Sequence, residues 1–173
     1  MSRALRILLD TCVLYPPMLR DFLLALAARG LFVPLWSDGI AAEWLYLAAR
    51  DGARDVPGLL ARMAARWPEG KVGPGAPDLL DLPDRSDRHV LAAAIAGEAD
   101  LLVTANLRDF PLRALGPHGL RARAPDDFVM DLWLEAPAIV EAEVAALWPL
   151  EGRELRRALR KAGLPRLGQA LGG

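Results

Sequence analysis

Three compact apolar runs, at residues 5–9, 31–35 and 101–104, stand far apart in this chain, and the stretches between them have helical periodicity. A short apolar run bounded by turn residues reads as a buried strand. A further short strand is expected at 120–123. The intervening helices are expected at 18–29, opened by Pro16-Pro17 and stopped at Gly30, and at 56–67. Another, capped by Ser37 or Asp38, carries Ile40, Glu43, Trp44 and Leu47 and ends near Gly52. A further helix runs from Asp87 to about Gly97 with Ser86 as its cap. The tract at 68–77 is rich in turn residues and reads as a loop, with a short strand around Val72 or Leu79-Leu80. Strands alternating with helices predict a three-layer α/β/α fold with a mainly parallel sheet of four to five strands. Such sheets place their sites at the carboxyl ends of the strands.

Asp10 and Thr104 fall at those ends. Asp10 closes the first run and Asp109 follows the third by five residues, while Glu43 and Asp87 lie near the starts of helical segments. With that topology the four acids share one sheet edge. Carboxylates gathered in a cleft repel each other, and a divalent cation is the usual relief. A carboxylate-held Mg²⁺ or Mn²⁺ is in turn suited to cutting phosphodiesters. Thr104 and Asn106 lie in the same turn as Asp109 and can orient water or hold the metal ligands in place. Asp84 is a reserve ligand. His89 follows Asp87 by two residues, which on one helix points it about 200° away, so it is expected to pack or face solvent. Arg85, Arg88, Arg108 and Arg113 flank the acids and can meet phosphates. The tryptophans read as structural, and Cys12 as a buried small residue.

At 173 residues the chain is long enough for a real core, and with 53% apolar and 25% charged residues it is globular. The formal charge of −1 supplies no general attraction for nucleic acid, so any such attraction must be local. One cysteine and two histidines exclude a disulfide framework within the chain and argue against a Cys- or His-rich metal centre. No signal peptide and no run of about 18 apolar residues is present, so a cytoplasmic protein without membrane spans is expected. Past Pro137 the composition changes. Helices are expected at 138–147 and 151–162, giving a nuclease-like unit at 1–136 and a helical extension at 137–173. The apolar face of Ile139, Val140, Val144 and Leu147 and the basic run from Arg153 to Lys161 suggest dimerisation, a protein partner or RNA.

Three blocks resemble PIN-domain ribonucleases: Ile7-Leu-Leu-Asp10-Thr-Cys-Val-Leu14, Pro83-Asp-Arg-Ser-Asp87-Arg-His-Val-Leu-Ala-Ala-Ala94, and Ala99-Asp-Leu-Leu-Val-Thr104-Ala-Asn106-Leu-Arg-Asp109-Phe-Pro111. The likeness extends over about 5–134 and is nearest to VapC-type toxin components. Glu43 corresponds by position to the second acid of that family. The resemblance implies a PIN-like fold and a Mg²⁺- or Mn²⁺-dependent endoribonuclease, often the toxin of a toxin–antitoxin pair, with RNA as substrate and an antitoxin as partner. It also implies Asp10 and Asp87 as principal metal ligands, with Asp109 and Glu43 completing the site and Thr104 and Asn106 supporting it. The alternative is a catalytically silent PIN-like scaffold that binds RNA or protein. An aspartyl-nucleophile phosphatase needs a second Asp where Cys12 stands. A dinucleotide-binding domain needs glycines after the first strand, where there are none.

Overall fold

In the computed structural model, which describes residues 2–52 and 55–173, the apolar runs lie side by side as one parallel sheet. Its strands are β1 (Arg6–Leu9), β2 (Val33–Leu35), β3 (Leu101–Val103) and β4 (Ala122–Arg123), in the order β2-β1-β3-β4. Leu8 pairs with Leu35 on one side and Leu102 on the other. Ile7, Leu8 and Leu9 are all fully buried. A strand covered on both faces has no solvent side, which is why β1 is continuously apolar instead of alternating.

From β1, α1 (Thr11–Leu14) and α2 (Pro17–Ala28) lead to β2. From there α3 (Asp38–Arg50), α4 (Val56–Arg66) and α5 (Arg88–Ala96) carry the chain past β1 to β3, and α6 (Leu112–Leu115) leads to β4. Then come α7 (Pro125–Glu135), α8 (Pro137–Leu147), α9 (Gly152–Lys161) and α10 (Pro165–Leu171). The steps from β1 to β2 and from β2 to β3 run in opposite directions across the sheet. Right-handed crossovers therefore place α2 on one face and α3 and α5 on the other. Edge-to-face ring pairs bring the later helices onto the α2 side: Phe22 on α2 meets Trp148 at 5.3 Å, and Phe32 meets Phe128 of α7 at 5.2 Å. The result is the expected three-layer fold with four strands. Trp36, Trp44, Trp67 and Trp148 are buried, in keeping with their structural reading.

Two local expectations need correcting. The strand looked for near Val72 is reduced to a single bridge between Trp36 and Lys71, and Leu79 ends a short 3-10 turn (Pro77–Leu79). Ser86 is not a helix cap. A 3-10 turn (Arg85–Asp87) precedes α5, and the Asp84 carboxylate accepts from both the Ser86 N–H (2.9 Å) and the Ser86 hydroxyl (2.7 Å). An ionised carboxylate is the stronger acceptor and takes the first free N–H of the turn. At α3, by contrast, Ser37 does cap, accepting from the Ile40 N–H at 3.2 Å.

The helices after Pro137 share the core of the sheet domain. Val140 and Val144, part of the face offered by the sequence to a partner, are buried within the chain, as are Leu159, Leu164 and Leu167. The tail also contains α10, which the sequence pattern did not suggest because its N-cap is Leu164, without a capping side chain. The missing acceptor comes from α7: Asp126 accepts from the N–H groups of Arg166 (2.7 Å) and Leu167 (3.2 Å). Among the described residues no helix is long and apolar enough to cross a membrane. Asp126→Ala removes a capping acceptor, and caps are worth about 1–2 kcal/mol. The expected outcome is a fall in Tm of about 2–8 °C, read by circular dichroism, with the far-ultraviolet spectrum largely kept.

Candidate active site

Chain winding reverses between β1 and β3, and the residues leaving those two strands meet there. The backbone N–H of Asp10 donates to the Val103 carbonyl (3.1 Å), continuing the β1–β3 pairing by one residue. This brings the Thr104 hydroxyl to 2.9 Å from Asp10 Oδ2, to which it donates, while the Thr11 N–H donates to Oδ1 at 2.7 Å. Thr104 is fully buried and Asp10 is 5% exposed. The Asn106 N–H in turn donates to the Thr104 hydroxyl at 3.1 Å. Burial pushes the Asp10 carboxyl above its usual range, opposed by the hydrogen bonds from Thr104, Thr11 and Cys12.

Asp87 faces the same space from the start of α5. Burial, then the charges of Asp10, Asp109, Asp84 and Glu43, push its carboxyl up to about 6. Five acids thus share one field, the four predicted ones and Asp84. Among the described residues no Lys or Arg lies within ion-pair distance of Asp10, Asp87 or Asp109. Asp109, half-buried, closes the 3-10 turn Leu107–Asp109 after β3. Also among the described residues, no three His, Cys, Asp or Glu side chains stand close enough to hold a metal ion in this arrangement. That separation accords with carboxylates repelling one another.

Glu43 takes a different setting. It accepts from the Thr11 hydroxyl (2.8 Å) and pairs with His89 Nε2 (2.5 Å). Burial raises its pKa, but the His89 and Thr11 hydrogen bonds outweigh that and hold the carboxyl below its ordinary value. His89 is raised, first by its hydrogen bond to Glu43 and against its own burial. Gly39, in the first turn of α3, makes room for this ring: a Cβ there would stand 2.7 Å from His89 Nδ1. Among the described residues Nδ1 itself has no hydrogen-bond partner and is buried. Cys12 lies among the acids as well. Its thiol donates toward Asp10 Oδ2 (3.5 Å), lies 3.4 Å from the Thr104 hydroxyl, and accepts from the Ala105 N–H (3.3 Å). Burial and then the Asp10 charge push the thiol up to about 11, so it stays neutral at physiological pH.

The PIN domain family model matches residues 6–108. The chain belongs to the PIN domain family. A 45-residue stretch is 53% identical to a protein of Mycobacterium tuberculosis (strain ATCC 25618 / H37Rv) named "Putative ribonuclease VapC50", covering 26% of this chain and 27% of that protein. The match therefore spans about a quarter of the length of that curated relative. No solved structure matches the chain significantly. The PIN segment holds Asp10, Glu43, Asp87, Thr104 and Asn106, and Asp109 follows its last residue directly.

Two residues that touch this acid cluster escape the sequence reading. His89 was placed away from the acids on the assumption that it shares a helix with Asp87. In the structure Asp87 is the N-cap of α5, and α3 packs against the side of α5 that carries His89, so the ring reaches Glu43. Thr11 carries both an N–H for Asp10 and a hydroxyl for Glu43; its position directly after a strand-ending acid was the available signal. Asn106 contributes its backbone N–H to the site, and its side chain is exposed. Of the flanking arginines, Arg88 lies 3.8 Å from Asp81, while Arg85 and Arg108 are exposed.

A carboxyl whose folded pKa is raised favours folding in its neutral form. That contribution is complete below the unfolded value near 3.8 and is lost as pH rises through about 6. Asp87→Asn should therefore stabilise the metal-free protein at pH 8 by about 1 kcal/mol after solvent screening of this half-exposed group. That corresponds to a gain in Tm of about 2–4 °C. In EDTA-containing buffer the gain is expected to shrink towards pH 4 and vanish below it.

Proposed function

We propose that this PIN protein is a Mg²⁺- or Mn²⁺-dependent endoribonuclease, and the toxin of a type II toxin–antitoxin pair. The observation that carries the reading is the convergence of carboxylates at the sheet's carboxyl edge, where burial and then the charges of Asp10, Asp109, Asp84 and Glu43 push Asp87 up to about 6, with no Lys or Arg among the described residues within ion-pair distance of it. A cluster of hard oxygen donors with uncompensated charge fits Mg²⁺ or Mn²⁺. In this reading Asp10 and Asp87 are the principal ligands, and Asp109 and Glu43 complete the set. When bound, a divalent ion supplies the positive charge and activated water needed for in-line attack on a phosphodiester.

The chain's own residues do the positioning. The Thr104 hydroxyl and the Thr11 N–H hold the two Asp10 oxygens, Oδ2 and Oδ1 respectively. The Asn106 N–H fixes Thr104 in turn. Thr11 and His89 keep Glu43 ionised and oriented. Cys12, neutral and small, fills the space beside Asp10 without adding charge. The ribonuclease assignment is supported by the name of the M. tuberculosis relative, and the toxin assignment by the resemblance to VapC-type components; a cognate antitoxin would be the protein partner.

The test is cleavage of a single-stranded RNA by the purified protein with Mg²⁺ or Mn²⁺. Cleavage is expected to stop in EDTA and to fall at least about 100-fold in Asp10→Asn and Asp87→Asn. Mn²⁺ should raise the Tm of the unaltered protein and give a smaller rise in Asp87→Asn. RNA left uncut with either metal, or full activity in both variants, would remove the assignment. Co-purification of a small DNA-binding protein encoded beside this gene would support the toxin role.

A further inference from the structure

Helix α9 is built in two halves. Leu155 and Leu159 are buried and face α10, against which the helix lies closely: a Cβ on Gly168 would come within 3.0 Å of the Arg156 carbonyl and 3.2 Å of Leu159 Cβ. Arg153, Arg157 and Arg160 on the outer side, with Arg156 at the margin towards α10, are all exposed and together line one shallow depression of about 220 Å³. At about 100° per residue these four occupy an arc of roughly 100°, and no acidic residue falls inside it. Glu154, the acid within the helix, lies outside that arc. Among the described residues none of the four guanidinium groups has a carboxylate within ion-pair distance.

Four unneutralised guanidinium groups side by side repel one another. Some exposed arginines elsewhere pair with acids, as in Arg3–Asp100, Arg29–Glu143, Arg50–Asp51 and Arg62–Asp55, but the four on α9 stand together without one. Against a net charge of −1, this stripe is a local concentration of the opposite sign. Its place in the fold is also defined. The Thr104 N–H, beside Asp10, donates to the Arg123 carbonyl at the end of β4 (3.0 Å). Three residues on, Asp126 caps the start of α10, and the Leu164 N–H just before that start donates to the Leu159 carbonyl of α9 (2.8 Å). Hydrogen bonds thus link the end of β3 beside Asp10, through β4 and the start of α7, to the C-terminal end of α9.

We infer that the arginine stripe of α9 binds the phosphate backbone of single-stranded RNA, holding a substrate strand whose scissile bond lies at the acid cluster. This rests on the ribonuclease reading above and adds to it the surface that supplies affinity. The acid cluster itself repels a polyanion, so a phosphodiester reaches it only if other contacts hold the strand. Guanidinium groups spaced along one helix face suit successive phosphates, and contacts of that kind carry no base preference.

The experiment uses the full chain and the triple variant Arg153→Gln/Arg157→Gln/Arg160→Gln, all at exposed positions, with circular dichroism to show that both melt alike. Binding of a fluorescent 20-nucleotide single-stranded RNA is followed by anisotropy in EDTA across a salt series. The variant should bind at least about tenfold more weakly at low salt, with the slope of log Kd against log salt reduced by about 2. With metal, KM for the 20-mer should rise by a similar factor at unchanged kcat, and cleavage of a tetranucleotide too short to span both surfaces should be unaffected. Equal affinity and equal salt slope in the two proteins would overturn the inference. So would polyglutamate displacing the RNA at matched charge concentration and binding the stripe more tightly, which would point to an acidic protein partner instead. Failure of the ribonuclease reading shows separately, as RNA bound but uncut by the unaltered protein, and the anisotropy comparison still decides the role of the stripe.

Discussion

The hydrogen bond from Thr104 to Asp10 joins the ends of two strands that are 94 residues apart in the chain. It can form only because β1 and β3 are parallel neighbours, and they are neighbours because the chain reverses its direction of winding between them. The gap that the reversal leaves at the carboxyl edge is where α3, α5 and the turn after β3 deliver their acids. Parallel pairing at the centre of the sheet therefore decides both where the cleft lies and which side chains can enter it. The fully buried Ile7-Leu8-Leu9 run makes that register expensive to change, since a slip by one residue would turn the strand's side chains to the wrong faces.

Much of this was legible in the sequence, for physical reasons that can be named. Strands buried on both faces need unbroken apolar runs, and those runs stand out against amphipathic helices, so the strands and their order along the chain were readable. The acids at the ends of the runs followed from the topology. What escaped were features that depend on a partner distant in sequence. Asp84 rather than Ser86 holds the turn before α5, and His89 crosses from α5 to Glu43 on α3. Helix α10 has no cap of its own and uses Asp126 from α7. Neither a borrowed cap nor a histidine reaching another helix leaves a periodic trace. The apolar face of α8 was visible, but whether it met a partner or the chain's own α2 could be settled only by the packing of Trp148 on Phe22.

Charge is sorted in space in a way the near-zero total conceals. The acids converge on the sheet edge, partly buried and with no Lys or Arg partner among the described residues for Asp10, Asp87 or Asp109, whereas one face of α9 exposes four arginines without a carboxylate partner. Under the proposed function affinity and chemistry lie on different elements, α9 and the sheet edge, so that the two can be altered independently. The neutral thiol of Cys12, set between Asp10 and Thr104, keeps the centre from gaining a further negative group at physiological pH.

Gly39 adds a dependence between positions 50 residues apart. Alanine is the better helix former, by about 1 kcal/mol, and in an isolated α3 it would be an improvement. Here the added methyl group would occupy the space of the imidazole of His89 and drive it off Glu43, freeing that carboxylate to rotate. Positions 39 and 89 therefore behave as a single unit: a larger residue at one demands a smaller one at the other, and a gain in local helix strength would be spent on disorder in the cleft.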